Sequence, residues 1–111
     1  MITVLLVDDE PDLVDGSRIF LEKSGDLKVD SAYSAEQAIE MIKDRSYDVI
    51  VSDYDMPGLD GIELLEMIRK IGDFTPFIIS TGKGREQVVI EAFNAGADFY
   101  LQKGGDPRPQ F

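Results

Sequence analysis

The stretch Val51-Ser-Asp-Tyr-Asp-Met-Pro-Gly-Leu-Asp-Gly61 closes a short apolar run with two aspartates, then turns on a proline and two glycines. Carboxylates there could bind calcium in a loop, attack a phosphate, store a phosphoryl group or cap a turn. A calcium loop of the EF-hand type needs acids at its first, third and fifth positions, glycine at the sixth and a bidentate acid at the twelfth. Counted from Asp53, the first, third and sixth positions fit through Asp53, Asp55 and Gly58. Pro57 and Leu64 occupy the fifth and twelfth, so the calcium loop fails.

Outward from this stretch, the apolar run Val49–Ser52 has four counterparts: Ile2–Val7, Leu27–Ala32, Phe77–Thr81 and Phe99–Gln102. Segments of helical periodicity lie between them. Short apolar runs alternating with helices predict a parallel sheet covered on both faces. Leu27–Ala32 is the most polar run and reads as an edge strand.

Helix signals agree. Pro11 sits at a first helical position with acids beside it, and Gly25 follows the last periodic residue of that segment. Ser34-Ala-Glu-Gln37 and Asp60-Gly-Ile-Glu63 have the spacing of capping boxes. The second opens a helix with an apolar stripe of Leu64, Leu65, Ile68 and Ile71. A fourth helix is predicted from about Arg85 to Asn94, with Gly96 as its stop. Met41, Met56 and Met67 read as core or near-core fillers. The order is β-α-β-α-β-α-β-α-β, an open doubly wound α/β domain.

Composition narrows the function. A chain of 111 residues is one domain, and 43% apolar with 30% charged residues reads as globular. Eleven basic against twenty-two acidic residues give a formal charge of −11, which disfavours nucleic acid and anionic membranes as partners of this chain. No apolar run is long enough to span a bilayer, and no basic leader precedes the first strand. Zero cysteines excludes a disulfide scaffold and fits the cytoplasm. Zero histidines means the chain supplies no imidazole base and no phosphohistidine.

Ligands of open α/β sheets bind at the carboxyl ends of the strands. Here those ends carry Asp8-Asp9, Asp53, Ser80-Thr81-Gly82 and Lys103. Two carboxylates about 4 Å apart repel by about 4 kcal/mol at an effective dielectric near 20, so such a group calls for a cation. Oxygen ligands without nitrogen or sulfur favour Mg²⁺, with Mn²⁺ or Ca²⁺ as substitutes. Carboxylates, a hard cation, a lysine and a hydroxyl together suit phosphoryl chemistry.

The segments "LLVDDEPDL", "DVIVSDYDMPGLDGIELL", "PFIISTG" and "AGADFYLQK" resemble, in order and spacing, the receiver domain of two-component response regulators, of the chemotaxis-regulator kind. The resemblance covers the chain up to Lys103 and implies a flavodoxin-like sheet of order 2-1-3-4-5. It implies Asp53 as phosphoacceptor, Asp9 as a direct Mg²⁺ ligand, Asp8 largely through water, and the backbone carbonyl of Asp55 as a further ligand. It implies Thr81 as the switch hydroxyl, Lys103 as the partner of the acceptor, and Tyr100 as the aromatic that turns inward when Thr81 moves. The donor would be a histidine kinase or phosphotransfer protein, with self-catalysed transfer and hydrolysis and with a homodimer left open.

Some positions depart from the pattern. Asp55 and Lys83 flank the site entrance, where a salt bridge between them would slow hydrolysis of the acyl phosphate. Gly82 stands where alanine is commoner, leaving the entrance more open. Gly104 replaces a proline often preceded by a cis bond, and a trans peptide is expected before glycine. Residues 104–111, with two glycines and two prolines, predict an irregular tail in place of a fifth helix, so the resemblance implies a natural chain continuing past Phe111. Two rival readings remain. One is a receiver-like interaction domain with a vestigial site. The other is a haloacid-dehalogenase-type phosphohydrolase using Asp53 and Asp55, which Pro57 and the position of Asp8-Asp9 argue against.

Overall fold

The computed structural model describes residues 1–82 and 86–102. Along the chain run β1 (Ile2–Val7), α1 (Pro11–Glu22), β2 (Leu27–Ala32), α2 (Ala35–Asp44), β3 (Val49–Asp53), α3 (Gly61–Lys70), β4 (Phe77–Thr81), α4 (Glu86–Ala95) and β5 (Phe99–Gln102). All strand pairings are parallel and the order is β2-β1-β3-β4-β5, the flavodoxin-like order expected. β2 is an edge strand as predicted, and β5 is the other edge. Four helices lie among the described residues. The tail 104–111, with Gly104 and its peptide bond, lies outside them.

The two faces of the sheet are unequally covered. Leu5, Val7, Ile50, Phe77 and Ile79 share one face and are fully buried beneath Ala35 and Ala38 of α2, Leu64, Leu65 and Ile68 of α3, and Val88 and Ala92 of α4. Strict alternation puts Leu6, Val51 and Ile78 on the other face, where they are half-buried. Val4, Val14 and Val29 are buried there, with α1 lying against β2.

Local chemistry sets the helix ends. The Asp60–Glu63 box is complete: Asp60 Oδ1 accepts from the Glu63 amide at 2.8 Å and Glu63 Oε1 from the Asp60 amide at 3.0 Å. The Ser34 box forms only in half. Ser34 Oγ accepts from the Gln37 amide, but Gln37 Oε1 takes the Tyr33 amide at 2.8 Å instead of Ser34's own. α4 begins at Glu86 and runs through Ala95, one residue past the predicted end, before Gly96 at φ +107° stops it.

Two core assignments are corrected. Ile71 is 61% exposed, because α3 ends at Lys70 and Gly72, at φ +86°, turns the chain away before Ile71 can join the stripe. Met67 is 41% exposed on the rim of an apolar groove between α2 and α3, whereas Met56 is buried and Met41 packs against the core.

The amino-terminal edge of the sheet is tied by side chains. Asp48 Oδ2 accepts from the Thr3 amide at 2.8 Å and from its hydroxyl at 3.1 Å. Arg69 donates to the carbonyls of Asp73, Thr75 and Gly96 and to Asp98 Oδ2, which also accepts from the Phe77 amide. On the β2 edge, Glu22 Oε2 accepts from the Val29 amide at 2.9 Å, occupying an edge donor. These bonds depress two carboxyls: the Thr3 amide lowers Asp48, and the Val29 amide lowers Glu22. A depressed carboxyl stabilises the fold above its unfolded pKa, and that contribution disappears as pH falls through the folded value. The stability advantage of the wild type over a Glu22→Gln, Asp48→Asn double variant is therefore expected to hold at neutral pH. It should vanish on the acid side of the ordinary carboxylate range, as urea titrations from pH 7 downward would show.

Candidate functional site

The site forms where β1 and β3 end. The ladder between them stops at the pair Val7 and Ser52, and β1 gives way to Asp8-Asp9 while β3 reaches its last residue, Asp53. Asp8 and Asp53 are only 8% and 7% exposed, and Asp9 is half-buried. Carboxylate oxygens of all three lie within 4.8 Å of one another. At that spacing each pair of charges repels by about 3 kcal/mol at an effective dielectric near 20. Asp8 Oδ1 also accepts from the Glu10 amide at 3.0 Å, which fixes its carboxylate at the entry to α1.

This donor set passes the test for a hard divalent cation: three convergent carboxylates, all oxygen, with two of the three groups sheltered from water. Pro11 opens α1 immediately afterwards, as its fixed φ allows, and so keeps the Asp8-Asp9 corner short.

Thr81 ends β4, one residue beyond the register pair Asp53 and Ser80. It is fully buried, and its Oγ1 has no hydrogen-bond partner among the described residues. Such an orphan is uncommon and costs free energy. Tyr100 on β5 pairs in register with Ile79 and is half-buried, on the sheet face that also carries Thr81. Asp55 is exposed in the loop after β3, beside an open cleft of about 440 Å³ lined by Tyr54, Asp55, Met56, Pro57, Gly58 and Asp60. Among the described residues, nothing lies within 4 Å of where a Cβ on Gly82 would stand. Lys83 and Lys103 lie outside the described residues.

Two residues of the site are not evident from the sequence. A Cβ on Gly61 would lie 2.5 Å from the Asp53 carbonyl oxygen and 3.1 Å from Tyr54 Cα. Glycine there lets the first turn of α3 press directly on the end of β3. Ser52, fully buried, donates its hydroxyl to the same Asp53 carbonyl at 3.0 Å. A glycine after a capping aspartate and a serine in a strand are ordinary in sequence, and only the contacts mark them.

The response regulator receiver domain family matches residues 4–109 of this chain. Response regulator Rre1 of Synechocystis is 36% identical over 96% of this chain, and transcriptional regulatory protein ResD of Bacillus subtilis is 38% identical over 95%. The chain spans 47% and 43% of those two proteins, just under half of each. Among solved structures, the receiver domain of Francisella response regulator 1452 superposes with a TM-score of 0.89 at 33% identity, covering 98% of this chain and 89% of that one. Response regulator TrrA of Thermotoga maritima, solved in complex with Mg²⁺-BeF, superposes with a TM-score of 0.84 at 28% identity, over 98% and 92% of the two chains. On the strength of its sheet order, its acidic strand ends and these matches, the chain belongs to the response regulator receiver domain family.

Proposed function

We propose that Asp53 accepts a phosphoryl group from the phosphohistidine of a histidine kinase or phosphotransfer protein, and that the acyl phosphate switches the face built on α4 and β5. The observation that carries this reading is the convergence of three carboxylates within 4.8 Å, around a buried Asp53 next to a strand ending in an orphaned hydroxyl. A carboxylate oxygen of Asp53 forms the new P–O bond as the P–N bond of the donor breaks, and the electron pair returns to the donor's imidazole. No base from this chain is needed, which agrees with its lack of histidine.

Asp8, Asp9, Asp53 and the backbone carbonyl of Asp55 would hold Mg²⁺, with Mn²⁺ or Ca²⁺ as substitutes. Bound there, the cation neutralises charge on the phosphoryl oxygens. Thr81 Oγ1 has an unmet donor to give to a phosphoryl oxygen, and Lys103 would supply a further cation at that oxygen. A shift of Thr81 toward the phosphoryl group would vacate space on the sheet face that Tyr100 shares, coupling chemistry to α4 and β5 as a two-state equilibrium. Asp55 and Lys83 at the entrance would govern the access of water and so the lifetime of the acyl phosphate. The net charge of −11 argues against nucleic acid and membranes as direct partners. No helix among the described residues is long and apolar enough to cross a membrane, and we assign the domain to the cytoplasm.

The test is intact mass after incubation with acetyl phosphate, with and without Mg²⁺, on the wild type and on Asp53→Asn. The expected result is a gain of one phosphoryl group that requires Mg²⁺ and is absent from the variant. A folded wild type that gains nothing overturns the reading in favour of an interaction domain with a vestigial site. A gain that persists in Asp53→Asn overturns the choice of acceptor.

A further inference from the structure

The carbonyl of Asp53 sits at a break in the sheet. The β1–β3 ladder ends at Val7 and Ser52, after which β1 turns away into Asp8-Asp9. The Ser52 side chain closes this gap from within its own strand, donating to the Asp53 carbonyl at 3.0 Å while wholly buried. The same peptide unit is held at its other end, where the Tyr54 amide donates to the Ser80 carbonyl at 2.8 Å. The next peptide unit is held by α3, whose Gly61 amide donates to the Tyr54 carbonyl at 3.1 Å. Two consecutive peptide planes are therefore fixed, by a hydroxyl, a neighbouring strand and a helix terminus. The carbonyl that follows belongs to Asp55.

We propose that Ser52 is a positioning residue: its hydroxyl fixes the peptide plane after Asp53, and through the Tyr54–Gly61 bond sets the direction of the Asp55 carbonyl toward the cation site. The inference rests on the reading of Asp53 and Asp55 given above. Ser52 touches neither the phosphoryl group nor the metal, since alternation along β3 turns its side chain to the sheet face opposite that of Asp53. Its effect passes through the backbone. A carbonyl that must reorient before it can ligate takes part of the binding free energy, so pre-orienting it appears as metal affinity.

The experiment is a Mg²⁺ titration without phosphodonor, followed by tyrosine fluorescence. The chain has no tryptophan, and Tyr54 adjoins the site. Ser52→Ala is expected to weaken Mg²⁺ binding about 3- to 10-fold, the factor to which the loss of one hydrogen bond corresponds. Ser52→Thr and Ser52→Val have nearly the same shape and differ in the hydroxyl, so threonine should restore affinity relative to valine. Urea midpoints separate this effect from general destabilisation, because affinity is read where each variant is fully folded. Wild-type affinity in Ser52→Ala, or equal affinity in the threonine and valine variants, overturns the proposal and leaves the phosphoacceptor reading intact. A wild type that binds no Mg²⁺ overturns both.

Discussion

Gly61→Ala is expected to destabilise the protein by about 1–3 kcal/mol, the usual range for overpacking, and to slow Mg²⁺-dependent phosphorylation at least tenfold. The added methyl would lie 2.5 Å from the Asp53 carbonyl oxygen and 3.1 Å from both the Asp53 carbonyl carbon and Tyr54 Cα. All three are backbone atoms, which cannot rotate aside as a flexible side chain could. Either α3 retreats, breaking the Gly61 amide bond to the Tyr54 carbonyl, or the end of β3 moves and carries Asp53, the proposed acceptor, with it. Alanine's better helix propensity returns up to about 1 kcal/mol, and less at a first helical position, so the sign is unchanged. Urea denaturation and a time course of phosphoryl mass give the two readouts. An alanine variant matching the wild type in both would show that the two elements are not pressed together as described.

Thr81→Val is expected to act in the opposite direction on stability, raising it by about 1–2 kcal/mol. Valine nearly matches threonine in shape, and the hydroxyl it removes is buried without a partner, a condition that costs about 1–3 kcal/mol. The same change should uncouple the switch: Asp53 still gains its phosphoryl group, but the change in tyrosine fluorescence that follows phosphorylation is lost. Ser31 supplies the control, since its Oγ is the other buried hydroxyl without a partner among the described residues and it lies on β2, in register with Leu6, rather than on β4. Ser31→Ala should stabilise without affecting the response. Thr81→Val lowering the urea midpoint would refute the orphaned hydroxyl, and an unchanged fluorescence response would refute its role as the switch.

The fold was readable from the sequence because its strands are short apolar runs and its helices carry strong end signals. Val49 to Ser52 reads as a buried strand from composition alone, and the Asp60–Glu63 box opens α3 where the spacing says it should. Convergence of Asp8, Asp9 and Asp53 was equally legible, because strand order and a single rule about strand ends bring them together. Other features depend on contacts that no local pattern encodes. Ile71 continues the periodicity of α3 yet lies past its end, because the positive φ at Gly72 redirects the chain. Gln37 has the capping spacing but reaches one residue further back than a box requires, to Tyr33. Ser52 and Gly61 draw their significance from one carbonyl, and nothing in a serine or a glycine announces which carbonyl it will meet.

Arg69 gives the two ends of the sheet different characters. Its guanidinium spans two connections at the edge remote from the carboxylates, α3 to β4 and α4 to β5, bonding at 2.9 to 3.3 Å to Thr75, Asp73, Gly96 and Asp98 and lying 5.9 Å from the ring of Phe74. A guanidinium keeps its charge at any pH the fold survives. The strand beginnings are thus stapled, while the strand ends hold crowded charge and an unbonded hydroxyl. Local opening is expected to follow that gradient. Amide hydrogens near Phe77 and Asp98 should exchange with solvent only through global unfolding, and those near Thr81 through small excursions that leave the rest intact. The protein would then carry its signal at the end of the sheet that opens most readily, with the stapled end as the fixed frame against which the movement is made.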